Sequence, residues 1–252
     1  MAARHLIVTR PAAQATPLVD ELRSRGVSAS TLPLIEIAPA PDPAAVAAAW
    51  AGLPGDALAF FASANAVEHF LGARPAGAAW PAATLAAGPG PGTAAALRAG
   101  GVPAPRVVEP AAGAASFDSE ALWEELRTRD WRGRRVLLVR GEQGRDWLAE
   151  QLQAAGAEVH AVAAYRRLAP RPDDAGRALL ARALAEPGGF LWHFSSSEAV
   201  QHLRTLAPGA DWRVARAAAT HPRIAAAARA LGFGVVDEIA PGVEALVRAA
   251  LT

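Results

Sequence analysis

Short runs of large apolar residues alternate along the chain with segments whose apolar residues recur every three or four positions and stop at a glycine. The first pattern is that of a buried strand, the second that of a helix with one apolar stripe and a glycine cap. HLIV, residues 5–8, followed by ATPLVDELRSRG, residues 15–26, is the first such pair. Leu18 and Leu22 lie four apart on one helical face, and Gly26 stands where the cap is expected. Strand and helix in steady alternation predict α/β units in a parallel sheet.

The pattern occurs twice. RVLLVRGEQGRDWLAEQLQAAG, residues 135–156, repeats the first unit at an offset of 130, with Arg10 against Arg140, Leu18 against Leu148, Leu22 against Leu152 and Gly26 against Gly156. ALAFFASANAVEHFL (57–71) echoes GFLWHFSSSEAVQHL (189–203), pairing Phe61 with Phe194 and Ser63 with Ser196. AAGPGPGTAAALRAGG (86–101) echoes AATHPRIAAAARALGFG (218–234). Such self-similarity indicates two copies of one fold. Both copies of the first unit run into proline-rich stretches, PLIEIAPAPDP and VAAYRRLAPRPDD, which read as extended crossings. The repeat alone also allows two sequential halves divided near residue 130. Residues 172–252 lack their own copy of the first unit, however, and only residues 1–35 can supply it. The expected organisation is therefore a discontinuous domain, 1–35 and 172–252, interrupted by a second domain, 41–163, with crossings at 36–40 and 164–171.

Composition narrows the chemistry. A hydrophobic content of 52% is ample for a core, although much of it is alanine, so Leu, Val, Ile, Phe and Trp mark the packing positions. The absence of cysteine excludes disulfides, thiolate metal sites and cysteine nucleophiles, and fits a cytoplasmic protein. MAARHLIVTRP has no signal-peptide core, and no apolar run approaches the roughly 20 residues of a membrane span. Lys+Arg 25 against Asp+Glu 24 leaves no global field to draw nucleic acid or a membrane. The cations are almost all arginine, whose fork suits carboxylates and phosphates.

In an open parallel sheet, ligands bind where strands give way to helices. Those junctions are TRP (9–11), ASAN (62–65), AGPGPGT (87–93), RGEQG (140–144), SSSE (195–198) and THPR (220–223). Helix N-termini there offer unpaired N–H groups to an anion. Ser63, Asn65, Ser196 and Ser197 equally suit plain capping roles. SSSE lacks the flanking glycines of a nucleophile elbow, so ligand donation or capping is favoured over attack. GPGPG has no following Gly-Lys-Ser/Thr, which argues against a nucleotide. The six histidines never fall at a metal-binding spacing, and no metal is expected; His221 is either a loop residue or a ligand contact. Tyr165, the single tyrosine, is either an amphipathic packing residue at a domain edge or a phenol at a cleft mouth able to donate a proton.

VTRP (8–11), SANAV (63–67), GPGT (90–93), DSEAL (118–122), VLLVRGEQGR (136–145), AYRR (164–167), FSSSEAV (194–200) and ATHPRIA (219–225), in that order and from end to end, resemble the uroporphyrinogen-III synthase family. The resemblance implies two similar doubly wound parallel-sheet α/β domains, flavodoxin-like and of the HemD-like fold, joined by a two-stranded linker, with the substrate in the cleft between them. It implies a cofactor-free reaction in which linear hydroxymethylbilane loses its terminal hydroxyl as water and closes to uroporphyrinogen III with the last pyrrole inverted. The polycarboxylate substrate calls for helix N-termini and a few arginines, and the enzyme's main task is positioning. The tyrosine implicated in the family falls on Tyr165, and a phenol, protonated at neutral pH, can assist the departing hydroxide. Carried over, the substrate contacts are Ser63, Asn65, Gly88, Thr93, Ser195, Ser196, Ser197, Thr220, His221 and Arg223. Arg10 and Arg140 are added from the repeat. GPGPGT carries one Gly-Pro more than the family's GPGT. Expected partners are the tetrapyrrole and a transient contact with hydroxymethylbilane synthase, for a monomer. The competing expectation is a non-catalytic two-lobed cytoplasmic binding or regulatory protein for a polyanionic small molecule, and isomer analysis of the product separates the two.

Overall fold

The computed structural model describes residues 4–114, 116–144 and 146–251. The strands are β1 (His5–Val8), β2 (Ala29–Thr31), β3 (Glu36–Pro39), β4 (Leu58–Phe61), β5 (Leu85–Ala87), β6 (Val107–Val108), β7 (Arg135–Gly141), β8 (Glu158–Leu168), β9 (Phe190–Phe194), β10 (Arg216–Ala219) and β11 (Val235–Glu238). The α-helices are α1 (Ala12–Ser24), α2 (Pro43–Gly52), α3 (Ala64–Gly72), α4 (Pro91–Ala99), α5 (Ser119–Leu126), α6 (Trp147–Ala154), α7 (Asp174–Ala185), α8 (Ser197–Leu206), α9 (Pro222–Leu231) and α10 (Val243–Leu251). They divide into two compact units. The first unites the chain up to Glu36 with the chain from Leu168 onward, and the second is Ile37–Arg167.

The sheet of the first unit has the order β11-β10-β9-β1-β2, and that of the second β3-β8-β7-β4-β5-β6. The repeat makes β7 the counterpart of β1 and β4 the counterpart of β9, so β6-β5-β4-β7-β8 is the same sheet entered at a different strand. Counted in its own chain order, the first unit reads 5-4-3-1-2 and the second, leaving aside its edge strand β3, 3-2-1-4-5. The winding direction thus reverses between β1 and β9 in one unit and between β4 and β7 in the other. Such a reversal opens a crevice at the carboxyl ends of the two strands.

Helix termini follow the same duplicated logic. Gly26 (φ 79°) and Gly156 (φ 93°) both adopt the left-handed conformation that glycine tolerates best. In each case the next residue reaches back to the last turn, Val27 N–H to the Leu22 carbonyl and Ala157 N–H to the Leu152 carbonyl, both at 3.0 Å. At the other ends, Ser63 caps α3 and Ser196 caps α8 by accepting backbone N–H groups.

Both sheets are covered on both faces, which is why LAFF and FLWHF are buried at every position. In the second unit Trp50 stacks on Phe70 with ring centroids 4.8 Å apart, and its indole N–H donates to the Phe70 carbonyl at 2.7 Å. In the first unit Trp192, Phe194, Trp212 and Phe233 form the aromatic layer, with Trp212 stacked on Phe233 at 4.9 Å. Leu6, Val8, Val19, Leu22 and Leu191 form a separate apolar cluster in that unit. The proline-rich stretch after β2 is not a bare crossing: β3 hydrogen-bonds to β8 at the sheet edge, a place where proline is tolerated.

Candidate functional site

In the second unit the chemistry gathers where β4, β7 and β8 end. The β7–β8 register runs Arg140 opposite Ala163 and then Gly141 opposite Tyr165, an extra residue on β8 that constitutes a bulge. Val162, Ala164 and Tyr165 consequently join one buried cluster, although strict alternation would send Tyr165 to the other face. Tyr165 is 2% exposed. It lies in a sheet strand and in the core of its unit.

Tyr165 has a built seat. A β-carbon on Gly141 would stand 3.0 Å from the phenol Cζ and 3.3 Å from its oxygen, so the ring packs closely against the bare glycine backbone and a side chain there would crowd it. The His69 ring stacks on it at 5.8 Å, the Arg167 guanidinium lies 6.0 Å from its centroid, and the Glu142 N–H donates to its carbonyl at 3.0 Å. Its hydroxyl oxygen is 3.1 Å from Ser63 Oγ. Ser63 Oγ also accepts the Ala66 N–H at 3.2 Å, tying the phenol to the N-terminus of α3. Asn65, half-buried, is the second residue of that helix.

Gly88 and Thr93 form a second pair of this kind. A β-carbon on Gly88 would stand 2.6 Å from Thr93 Cγ2, and Thr93 is itself buried in the first turn of α4. Gly90, at the N-cap, offers no capping side chain. Arg140 is ion-paired with Asp146.

In the first unit the corresponding crevice lies at the ends of β1 and β9. Thr9 is buried and donates its hydroxyl to the His193 carbonyl at 2.6 Å, joining the two strands. Arg10 follows immediately. Its Nε is buried without a hydrogen-bond partner, it makes no ion pair among the described residues, and burial lowers its pKa. The helix beyond it has neither a capping side chain nor an acid in its first turn. Ser195 lies in the bend after β9, Ser196 Oγ accepts the Glu198 N–H at 3.2 Å, and Ser197 opens α8. No histidine hydrogen-bonds to these serines among the described residues. Thr220 N–H donates to the Phe194 carbonyl at 3.2 Å. His221 caps α9, its Nδ1 accepting the Arg223 N–H at 3.1 Å, and both residues are exposed. Among the described residues, no group of three or more His, Asp or Glu side chains is placed to hold a metal ion.

Residues 16–248 match the family model described as uroporphyrinogen-III synthase HemD. The chain belongs to the uroporphyrinogen-III synthase family. The uroporphyrinogen-III synthase of Salmonella typhimurium is 30% identical over 222 residues, covering 81% of this chain and 80% of that one. A mutant uroporphyrinogen III synthase from Thermus thermophilus shares the fold with a TM-score of 0.62 at 21% identity, over 99% of both chains. The uroporphyrinogen-III synthetase of Helicobacter pylori does so with 0.62 at 15%, over 98% of both.

In this uroporphyrinogen-III synthase family member, sequence reasoning placed Thr9 and Gly141 within the TRP and RGEQG junctions without singling them out, and missed His69 and His193. His193 is fully buried, and neither ring nitrogen has a partner. Burial, and then the charge of Arg10, lower its pKa to about 3, so the ring is neutral at physiological pH. The signal available was the repeat, which sets His193 against Phe60. No helix among the described residues is long and apolar enough to cross a membrane.

Proposed function

We propose that this family member is a cyclising lyase that converts hydroxymethylbilane to uroporphyrinogen III, inverting the last pyrrole and releasing water, on the route to heme and siroheme. The family match over residues 16–248 carries the reading. The geometry supports it. The carboxyl-end rims of both units present helix N-termini, capped by Ser63, Ser196 and His221, suited to the carboxylates of a tetrapyrrole. Ser195, Ser196, Ser197, Thr220, His221 and Arg223 serve this purpose in the first unit, and Asn65, Gly88 and Thr93 in the second. Arg10, without an acidic partner, adds a charged donor, and Arg140 a weaker one because Asp146 engages it.

Tyr165 supplies the proton that leaves with the terminal hydroxyl as water, and the proton lost when the new pyrrole bond forms restores it. No cofactor is needed for this balance. A monomer in the cytoplasm, in transient contact with hydroxymethylbilane synthase, belongs to the same proposal. The test is incubation of the purified chain with fresh hydroxymethylbilane and separation of the isomers. Type III is expected, and type I alone would overturn the reading.

A further inference from the structure

We infer that Ser63 is a positioning residue for Tyr165, donating its hydroxyl hydrogen to the phenol oxygen so that the phenol's own hydrogen is left for the substrate. The inference rests on Tyr165 acting as the acid. A serine oxygen has one hydrogen and two lone pairs, and one lone pair of Ser63 Oγ already receives the Ala66 N–H. Accepting that bond at the positive end of α3 polarises the Ser63 O–H and makes it the better donor of the pair. The phenol oxygen at 3.1 Å then receives it.

Two consequences follow for proton transfer. The phenol hydrogen has no competing claim from Ser63, and the negative charge that develops on the oxygen as the proton leaves meets a charge-assisted hydrogen bond already in place. Gly141 and His69 fix the ring, and Ser63 fixes the rotation of its hydroxyl. Ser196, the equivalent cap in the first unit, faces no tyrosine, because the chain has just one. The second unit has thus turned a shared capping residue toward a phenol, and Ser63 acts through Tyr165.

The test uses the full chain with Ser63→Ala, Ser63→Asp and Ser63→Thr. Asp keeps a capping oxygen for the Ala66 N–H but has no hydrogen to donate, whereas Thr keeps both functions. Ala and Asp should lower kcat about tenfold with KM little changed, and Thr should restore it. In a Tyr165→Phe background, Ser63→Ala should have no further effect. With labelled tyrosine, the infrared C–O stretch of the single tyrosine should shift in Ser63→Ala and Ser63→Asp and stay in Ser63→Thr, with no substrate present. An unchanged stretch, full activity of Ser63→Asp, or an equal loss from Ser63→Ala with and without the phenol would overturn the inference. Failure of the wild type to make the type III isomer would instead remove the functional reading, while the infrared comparison still decides the bond.

Discussion

His193 occupies in β9 the place that Phe60 occupies in β4. Phe60 lies between Ala87 and Leu138, and His193 between Ala218 and Val8, where Val8 is the repeat counterpart of Leu138 and alanine again fills the other side. One copy of the fold therefore fills the site with an apolar ring, the other with an imidazole whose nitrogens find no partner. A buried unsatisfied polar group costs about 1–3 kcal/mol. His193→Phe should raise stability by a comparable amount and shift the urea midpoint upward, provided the neighbouring side chains accept the larger ring as they do around Phe60. A lower midpoint would mean that the imidazole is held by a partner after all.

The same histidine sets an acid limit. Its folded pKa is lowered to about 3, from 6.5, chiefly by burial. A base with a depressed folded pKa binds its proton more readily when unfolded, so its contribution to stability is present above pH ~6.5 and is lost as pH falls toward 3. The expected slope approaches about 1.4 kcal/mol per pH unit within that window. Comparing wild type with His193→Phe across it isolates this contribution from other titrations. Parallel stability profiles would show that His193 titrates alike in the folded and unfolded chain, so that burial does not lower its pKa.

Asp56, just before β4, is a buried acid at the opposite end of the second unit's sheet. Its side chain is fully buried, with Arg135 Nη2 at 3.3 Å and His160 Nε2 at 3.5 Å. Burial raises its pKa against the opposing pull of His160 and Arg135. An acid with a raised folded pKa loses stabilisation as pH climbs through that value. Arg135→Met should therefore destabilise the unit by about 1–3 kcal/mol at neutral pH and by less in acid, since the half-exposed arginine is partly screened. Adding Asp56→Asn should recover most of the loss. If the double variant is no better, Arg135 contributes by packing its guanidinium beside Gly52 and Gly55 instead.

The duplication was legible because both copies repeat the same large apolar residues, glycine caps and serine caps in corresponding β-α units. Local exceptions were not. The bulge that turns Tyr165 inward sits among alanines, Ala163 and Ala164, whose small side chains leave no periodic signal. The space that Gly141 leaves for the phenol belongs to the pairing of two strands, which residue spacing along either strand does not report. His193 read as one histidine within an apolar run, and its unmet nitrogens are visible only once neighbouring strands enclose it. The Arg140–Asp146 pair, by contrast, spans six positions and lay within reach of sequence reasoning.

That pair makes two repeat-related arginines unequal. Arg10 and Arg140 each follow the core of the first strand in their β-α unit, but only Arg140 has an acid six residues on; the chain position equivalent to Asp146 is Thr16. An arginine already neutralised by a carboxylate has less to offer a second one, whereas Arg10 is held in a partly desolvated place with its Nε unmet. Arg10→Met should therefore raise KM for hydroxymethylbilane about tenfold, the range of one lost charge-assisted hydrogen bond, while Arg140→Met raises it much less. Asp146→Asn should release Arg140 and lower KM below the wild-type value. Steady-state kinetics of the three variants decide the matter: equal effects of the two arginine substitutions would show that the ion pair with Asp146 does not weaken Arg140 as a substrate donor.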